Sequence, residues 1–167
     1  MRIYIEHSEI QEMCKRIGAE LTEKFKNKNP ILVCVLKGAA PFHSELMKHI
    51  DADMEVDYIQ VQSYEGTEST GTVKLVKDLE CDISGRDVVI VEDIIDTGRT
   101  LTALKNQLLS RGPNSLTFVT MLDKPSRRVV DFKADYVGKT IDNLFVLGFG
   151  LDYNQKYRNL KDIYVID

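Results

Sequence analysis

The densest chemistry in the chain lies in Val88-Val89-Ile90-Val91-Glu92-Asp93-Ile94-Ile95-Asp96-Thr97-Gly98-Arg99-Thr100. Four apolar residues carry two adjacent carboxylates, Glu92 and Asp93, to what reads as the end of a buried strand. In a parallel α/β sheet, ligands bind at the carboxyl ends of strands. Asp96-Thr97-Gly98-Arg99-Thr100 then reads as a short turn into a helix. Its backbone N–H groups, with the hydroxyls of Thr97 and Thr100, can hold a phosphate. Carboxylates followed by a phosphate cradle suit a ligand that carries both hydroxyls and a phosphate, that is, a sugar phosphate. Asp-Thr-Gly on its own is as readily a plain helix cap, but the carboxylate pair just before it favours a site. An acidic pair also marks receiver domains, which need it after the first strand. Here a full α/β layer precedes Glu92.

The elements that must position this segment are legible from periodicity. Ser8 to Lys26 predicts an amphipathic helix, with Ile10, Met13, Cys14, Ile17, Leu21 and Phe25 on one face and Ser8 and Gln11 forming a capping box. Asn29-Pro30 ends it. Ile31 to Leu36 is a continuous apolar run of strand length, and Pro41 can start a second helix. Met54–Ser63 and Thr72–Val76 alternate polar and apolar residues. The polar, glycine-containing stretch between them, Ser63-Tyr64-Glu65-Gly66-Thr67-Glu68-Ser69-Thr70-Gly71, predicts a mobile loop joining two antiparallel strands. That pair is expected to form a small lobe beside the main sheet. A helix from about Thr100 to Ser110 stops at Arg111-Gly112-Pro113. Leu116–Leu122 is a third buried strand, and Tyr136-Val137, Leu144–Leu147 and Ile163–Ile166 are shorter candidates. Helices between buried strands predict an α/β fold with a mostly parallel central sheet covered on both faces. No linker or repeat divides residues 1–167, so one domain is expected.

The 167 residues carry a formal net charge of −4, which argues against a general nucleic-acid binder. No apolar run approaches the roughly 20 residues that span a bilayer, and the N-terminus lacks a signal-peptide hydrophobic region. Cys14, Cys34 and Cys81 form no Cys-x-x-Cys pair, and Cys14 and Cys34 read as core residues. Unclustered cysteines suit a reducing compartment, and the expected location is the cytoplasm.

With these blocks in view, the chain resembles the phosphoribosyltransferase family, and within it the bacterial-type hypoxanthine (guanine) enzymes. Nearly the whole chain takes part, from Ile31 to Tyr164. The resemblance rests on blocks in order: Leu36-Lys37-Gly38, Ser63-Tyr64, Ser69-Thr70-Gly71, Glu92 to Thr100, Leu122-Asp123-Lys124, Phe145-Val146, Gly148, Leu151-Asp152-Tyr153 and Arg158. It implies a type I phosphoribosyltransferase-like fold with a small hood lobe and a mobile antiparallel lid loop. The implied reaction joins a 6-oxopurine to 5-phosphoribosyl pyrophosphate in purine salvage, with Mg²⁺ as cofactor. The implied partners are those two small molecules, in a homodimer or homotetramer, without nucleic acid or membrane.

By the same resemblance, Glu92 and Asp93 meet the ribose hydroxyls with help from Mg²⁺, and Asp152 helps place a metal ion. Asp96, Thr97, Gly98, Arg99 and Thr100 hold the 5-phosphate, and Asp96 sits by the purine N7 as proton acceptor or donor. Lys37 and Gly38 approach the pyrophosphate through backbone atoms after a peptide that can be cis, and Arg158 meets it too. Lys124 donates to the 6-oxo group, Phe145 stacks on the base and the Val146 backbone reads its edge. Ser63 and Tyr64 start the lid. Ala39 stands where many relatives have glycine or serine, and Arg99 where many have lysine. Taken singly, several of these residues have plainer readings. Lys124 could be a solvated loop lysine, Phe145 and Val146 core, and Arg158 a partner of Asp162. The run Lys124-Pro125-Ser126-Arg127-Arg128 reads as a solvated loop, and His7, His43 and His49 match no site role. A rival class is a regulator that keeps this fold to sense nucleotides; such proteins usually add a nucleic-acid-binding domain or a broad basic face.

Overall fold

Two apolar runs, Ile31–Leu36 and Asp87–Ile95, lie side by side and parallel, pairing Ile31 with Val88 through Cys34 with Val91. In this computed structural model, residues 1–63 and 73–167 are described. In chain order the elements are β1 (Arg2–Ile5), α1 (His7–Phe25), β2 (Ile31–Leu36), α2 (Ala40–Met47), β3 (Glu55–Ser63), β4 (Val73–Lys77), β5 (Asp87–Ile95), α3 (Arg99–Leu109), β6 (Ser115–Asp123), β7 (Tyr136–Thr140), β8 (Val146–Leu147) and β9 (Ile163–Val165). The central sheet has the order β4-β3-β2-β5-β6-β7. All its pairings are parallel except that of the edge strand β4 with β3.

Strand alternation divides the core into two layers. Leu32, Val89 and Val91 point to the face covered by Ile10, Met13, Ile17 and Leu21 of α1 and Phe42 and Leu46 of α2. Ile31, Val33, Val35, Val88 and Ile90 point to the other face, under Leu101, Leu104 and Leu108 of α3. A strand buried on both faces has no polar face to show, which is why these runs are continuous rather than alternating. Each such side chain contributes about 1.5–3 kcal/mol relative to exposure, so the centre of the sheet is a stiff support for whatever its ends carry.

Three differences from the sequence reading have physical causes. The antiparallel pair β3–β4 is not a separate lobe, because β3 runs parallel to β2 and extends the central sheet. The small lobe is instead a three-stranded sheet, β1-β9-β8, built from both ends of the chain; β1 is too short for a periodicity signal. Helix α1 begins at His7 after Glu6 and has no side-chain cap from its own sequence. Its free His7 N–H donates to Asp162 Oδ1 at 2.7 Å. The β1–β9 pairing brings that carboxylate to the helix start, so tertiary structure replaces the capping box of Ser8 and Gln11. Tyr64 and the rest of the expected lid, 64–72, lie outside the described residues. Among the described residues no helix is long and apolar enough to cross a membrane.

His43 of α2 is buried, its Nε2 lies 3.0 Å from the Leu32 carbonyl, and its ring packs on Tyr58. Burial lowers its pKa from the ordinary 6.5. The folded state therefore holds it neutral, and the unfolded chain takes up its proton first. Its contribution to stability is complete above 6.5 and is lost as pH falls toward the lowered folded value. His43→Gln keeps a donor for Leu32 but cannot titrate. The Tm advantage of the parent over this variant should shrink between about pH 7.5 and pH 5; Tm curves that stay parallel across that range would refute the linkage.

Candidate active site

The order β3-β2-β5-β6 contains a topological switch, since chain order runs outward from β2 on one side and from β5 on the other. A crevice opens at the strand ends of such a point. The carboxyl end of β2 delivers Lys37 and Gly38, with a cis peptide between Leu36 and Lys37. The end of β5 delivers Glu92 and Asp93, which lie inside the strand rather than after it, because pairing with β6 continues to Ile95 opposite Asp123. Gly38 is pressed against Asp93: a Cβ there would overlap Asp93 Oδ2 and come within 2.8 Å of its Cγ. A side chain at this position would have to displace the Asp93 carboxylate, which is why glycine suits the close approach. Gly150, at φ +98°, packs in turn on the Gly38 carbonyl.

The two carboxylates are folded against their own backbone. Glu92 Oε1 accepts from the Asp93 N–H at 2.9 Å, and Asp93 Oδ1 accepts from the Ile94 N–H at 2.6 Å. Burial raises both pKa values above the ordinary range, and the charge of Asp93 raises Glu92 further. The Arg158 guanidinium acts on Asp93 in the opposite direction. Beneath them the buried Cys34 thiol is pushed up to about 12, by burial first and then by the charges of Glu92 and Asp93.

Beyond β5 the chain turns through Asp96 and Thr97 to Gly98, which caps α3 at φ +86°. The Arg99 N–H donates weakly to Thr97 Oγ1 at 3.4 Å. The exposed N-terminus of an 11-residue helix, with Thr97 and Thr100 beside it, is suited to an anion. Thr100 Oγ1 also lies 2.9 Å from Ser63 Oγ, tying the end of β3 to this turn. The Asp96 carboxylate is half exposed and accepts from Arg127 Nε at 3.0 Å.

The end of β6 supplies Lys124, buried at 8% exposure, with its N–H donating to the Ile95 carbonyl. Val146 is buried in β8 of the small lobe. Phe145 is 50% exposed, with Tyr153 packed edge-on at 5.6 Å. An aromatic ring left half in water beside a crevice is suited to stacking on a planar ligand. Arg158 does not pair with Asp162. Its Nη1 donates to the Gly150 carbonyl at 2.6 Å and its Nη2 to Gln155 Oε1 at 3.1 Å, while Asp152 Oδ1 lies 3.5 Å away. Its Nε is buried without a partner among the described residues.

Among the described residues no three His, Cys, Asp or Glu side chains converge as a metal cage. The donors still fit a hard cation that brings its own ligands. Magnesium keeps several waters and uses one or two carboxylates plus phosphate oxygens, and the adjacent pair Glu92 and Asp93 supplies oxygen donors of that kind.

Sequence reasoning missed three residues. Arg127 and Arg128, read as part of a solvated loop, both grip the Asp96 turn. Gln155 receives Arg158 and lies 3.5 Å from Lys37 Nζ. Nothing in local pattern marks Arg127 or Arg128, whose partner Asp96 lies 31 and 32 residues away, and Gln155, three residues before Arg158, belongs to no motif.

The model of the phosphoribosyl transferase domain matches residues 4–154. A hypoxanthine-guanine phosphoribosyltransferase of Streptococcus thermophilus (strain CNRZ 1066) is 49% identical over 166 residues, covering 99% of this chain and 92% of the relative. The enzyme of that name from Lactococcus lactis is also 49% identical, over 99% of this chain and 90% of its own. Among solved structures, a hypoxanthine-guanine phosphoribosyltransferase of Bacillus anthracis with HEPES in its active site superposes with a TM-score of 0.96 at 40% identity, covering 100% and 99% of the two chains.

A partly buried carboxylate whose pKa is raised destabilises the fold whenever it is ionised, so the penalty grows as pH rises above the ordinary 4.5 of Glu92. Glu92→Gln removes that charge and keeps the shape. Its Tm should exceed the parent's at about pH 8, by more than at about pH 5. Equal or lower Tm at the higher pH would show that ionised Glu92 is not under strain from burial.

Proposed function

The chain belongs to the phosphoribosyltransferase family, and we propose that it transfers the 5-phosphoribosyl group of phosphoribosyl pyrophosphate to a 6-oxopurine, hypoxanthine or guanine, releasing pyrophosphate. The observation that carries this reading is the meeting of three groups at one strand switch. They are the Gly38 backbone against Asp93, the Arg158 guanidinium beside them, and the phosphate turn Asp96–Thr100 one short step along the chain.

On this reading the 5-phosphate lies on the N–H groups and hydroxyls of Asp96 to Thr100, and Glu92 and Asp93 hold the ribose hydroxyls. The backbone of Lys37 and Gly38, with Arg158, receives the pyrophosphate; the unpartnered Nε of Arg158 supports a ligand at that place. Glu92, Asp93 and Asp152 are the residues that would hold Mg²⁺, which when bound would supply charge neutralisation for the leaving group. Lys124 donates to the 6-oxo group, Phe145 stacks on the base and the Val146 backbone reads its edge. As the bond from the anomeric carbon to pyrophosphate breaks, positive charge develops on the ribose and a purine nitrogen attacks. Asp96 holds or accepts the proton at N7, an effect typically worth about 10²–10⁴-fold. The proposal also places the protein in the cytoplasm as a homodimer or homotetramer; its three free cysteines agree with a reducing compartment. No observation favours the regulator alternative.

Labelled phosphoribosyl pyrophosphate offered with a panel of bases should yield nucleotide from hypoxanthine or guanine and not from adenine or pyrimidines. Product formation should stop in excess chelator and resume with Mg²⁺; turnover of adenine instead, or full activity in chelator, sinks the reading. Lys124→Met should raise the oxopurine KM by about 10–100-fold, as expected for a lost charged hydrogen bond. Phosphoribosyl pyrophosphate binding should stay intact, and a loss confined to that substrate would move Lys124 out of the base subsite.

A further inference from the structure

Lys124 and Asp96 are assigned to neighbouring atoms of the same base, the 6-oxo group and N7. They come from different strand ends, so their relative position depends on what joins the loop after β6 to the turn after β5. Two backbone bonds do part of this: the Lys124 N–H to the Ile95 carbonyl and the Val129 N–H to the Thr97 carbonyl, both at 3.0 Å. Two side chains complete the link: Arg127, whose Nε donates to Asp96 Oδ1 at 3.0 Å, and Arg128, which alone also reaches the residue before Lys124. Arg128 Nη2 donates to Asp123 Oδ1 at 2.6 Å, Nη1 to the Asp96 carbonyl at 2.8 Å, and Nε to the Phe132 carbonyl at 2.8 Å.

The guanidinium thus holds the residue next to Lys124 with one arm and the backbone of Asp96 with the other. Its side chain is 14% exposed and that of Asp123 is 12% exposed, so this is a partly desolvated, fixed pair rather than a surface ion pair. The stem rests on Gly98, where a Cβ would come within 2.9 Å of Arg128 Cδ. A planar fork with three acceptors in different directions is a task that lysine cannot perform.

We propose that Arg128 is a positioning residue for the transfer reaction: it sets Lys124 and Asp96 in register on the O6–N7 edge of the purine. The inference rests on the function proposed above. Arg128 touches no substrate; it acts through the two residues that do. A misplacement of about 1 Å at reacting groups can cost about 10²-fold in rate, which is the size of effect the clamp guards against. The backbone bonds that remain keep the phosphate turn itself formed, so the ribosyl substrate should be largely indifferent to its loss.

The test uses the full chain with Arg128→Lys, which keeps the charge opposite Asp123 but whose single nitrogen cannot span the three separated acceptors. Its kcat/KM for the 6-oxopurine should fall about 10²-fold, while the Kd of phosphoribosyl pyrophosphate changes by less than about threefold. Adding Lys124→Met should then cost much less than Lys124→Met costs alone, because the lysine is already out of register. A role confined to holding the fold would give multiplicative losses and weaken both substrates together, and that pattern overturns the proposal. Asp123→Leu, which keeps the volume but removes the acceptor, tests the same link from the other side; undiminished oxopurine kcat/KM in that folded variant also overturns it. The parent chain assayed in parallel separates these outcomes from a failure of the activity itself.

Discussion

Two adjacent carboxylates are held within a strand that is otherwise apolar, and much of the molecule is arranged around the consequence. Glu92 and Asp93 sit where burial raises their pKa values, next to each other and near the thiol of Cys34, whose ionisation burial and then their charges suppress. Such a pair is unfavourable when charged and unliganded, and becomes favourable when cations or ribose hydroxyls meet it. The stiff double-sided packing of β2 and β5 is what keeps the pair in place. The same packing brings the Gly38 backbone so close to Asp93 that a side chain at 38 would have to displace its carboxylate.

Positive groups are drawn up to this acidic centre without entering it. Arg158 is anchored by the Gly150 carbonyl and Gln155, Lys37 lies near the same Gln155 oxygen, and Arg127 pairs with Asp96. A neutral amide oxygen between two cations holds them only weakly, so an anion of higher charge can displace it at small cost. Arg158 and Lys37 are thus held at the crevice in part by a partner that an anion can replace.

The small lobe shows a different economy of construction. Both ends of the chain meet there, β1 and β8 pairing on either side of β9, and Asp162 caps the first turn of α1 across that contact. The lobe supplies Val146 and, next to it, Phe145. Closing the chain on itself therefore stabilises the longest helix and builds the wall on which a base can stack.

The amino-acid sequence alone determined the parts that depend on neighbours along the chain. Continuous apolar runs marked β2, β5 and β6, because a strand covered on both faces needs no alternation. The carboxylate pair and the Asp-Thr-Gly turn marked the chemistry, and the ordered blocks marked the family. Only the tertiary structure decided what depends on distant partners. It placed β3 and β4 in the main sheet rather than in a lobe and capped α1 with Asp162 instead of Ser8. It also turned Arg127 and Arg128 from a basic run that reads as solvated into the grip on Asp96. The reason is common to all of these. Periodicity and turn chemistry are local, whereas a hydrogen bond or ion pair across the fold leaves no mark on the residues beside it in sequence.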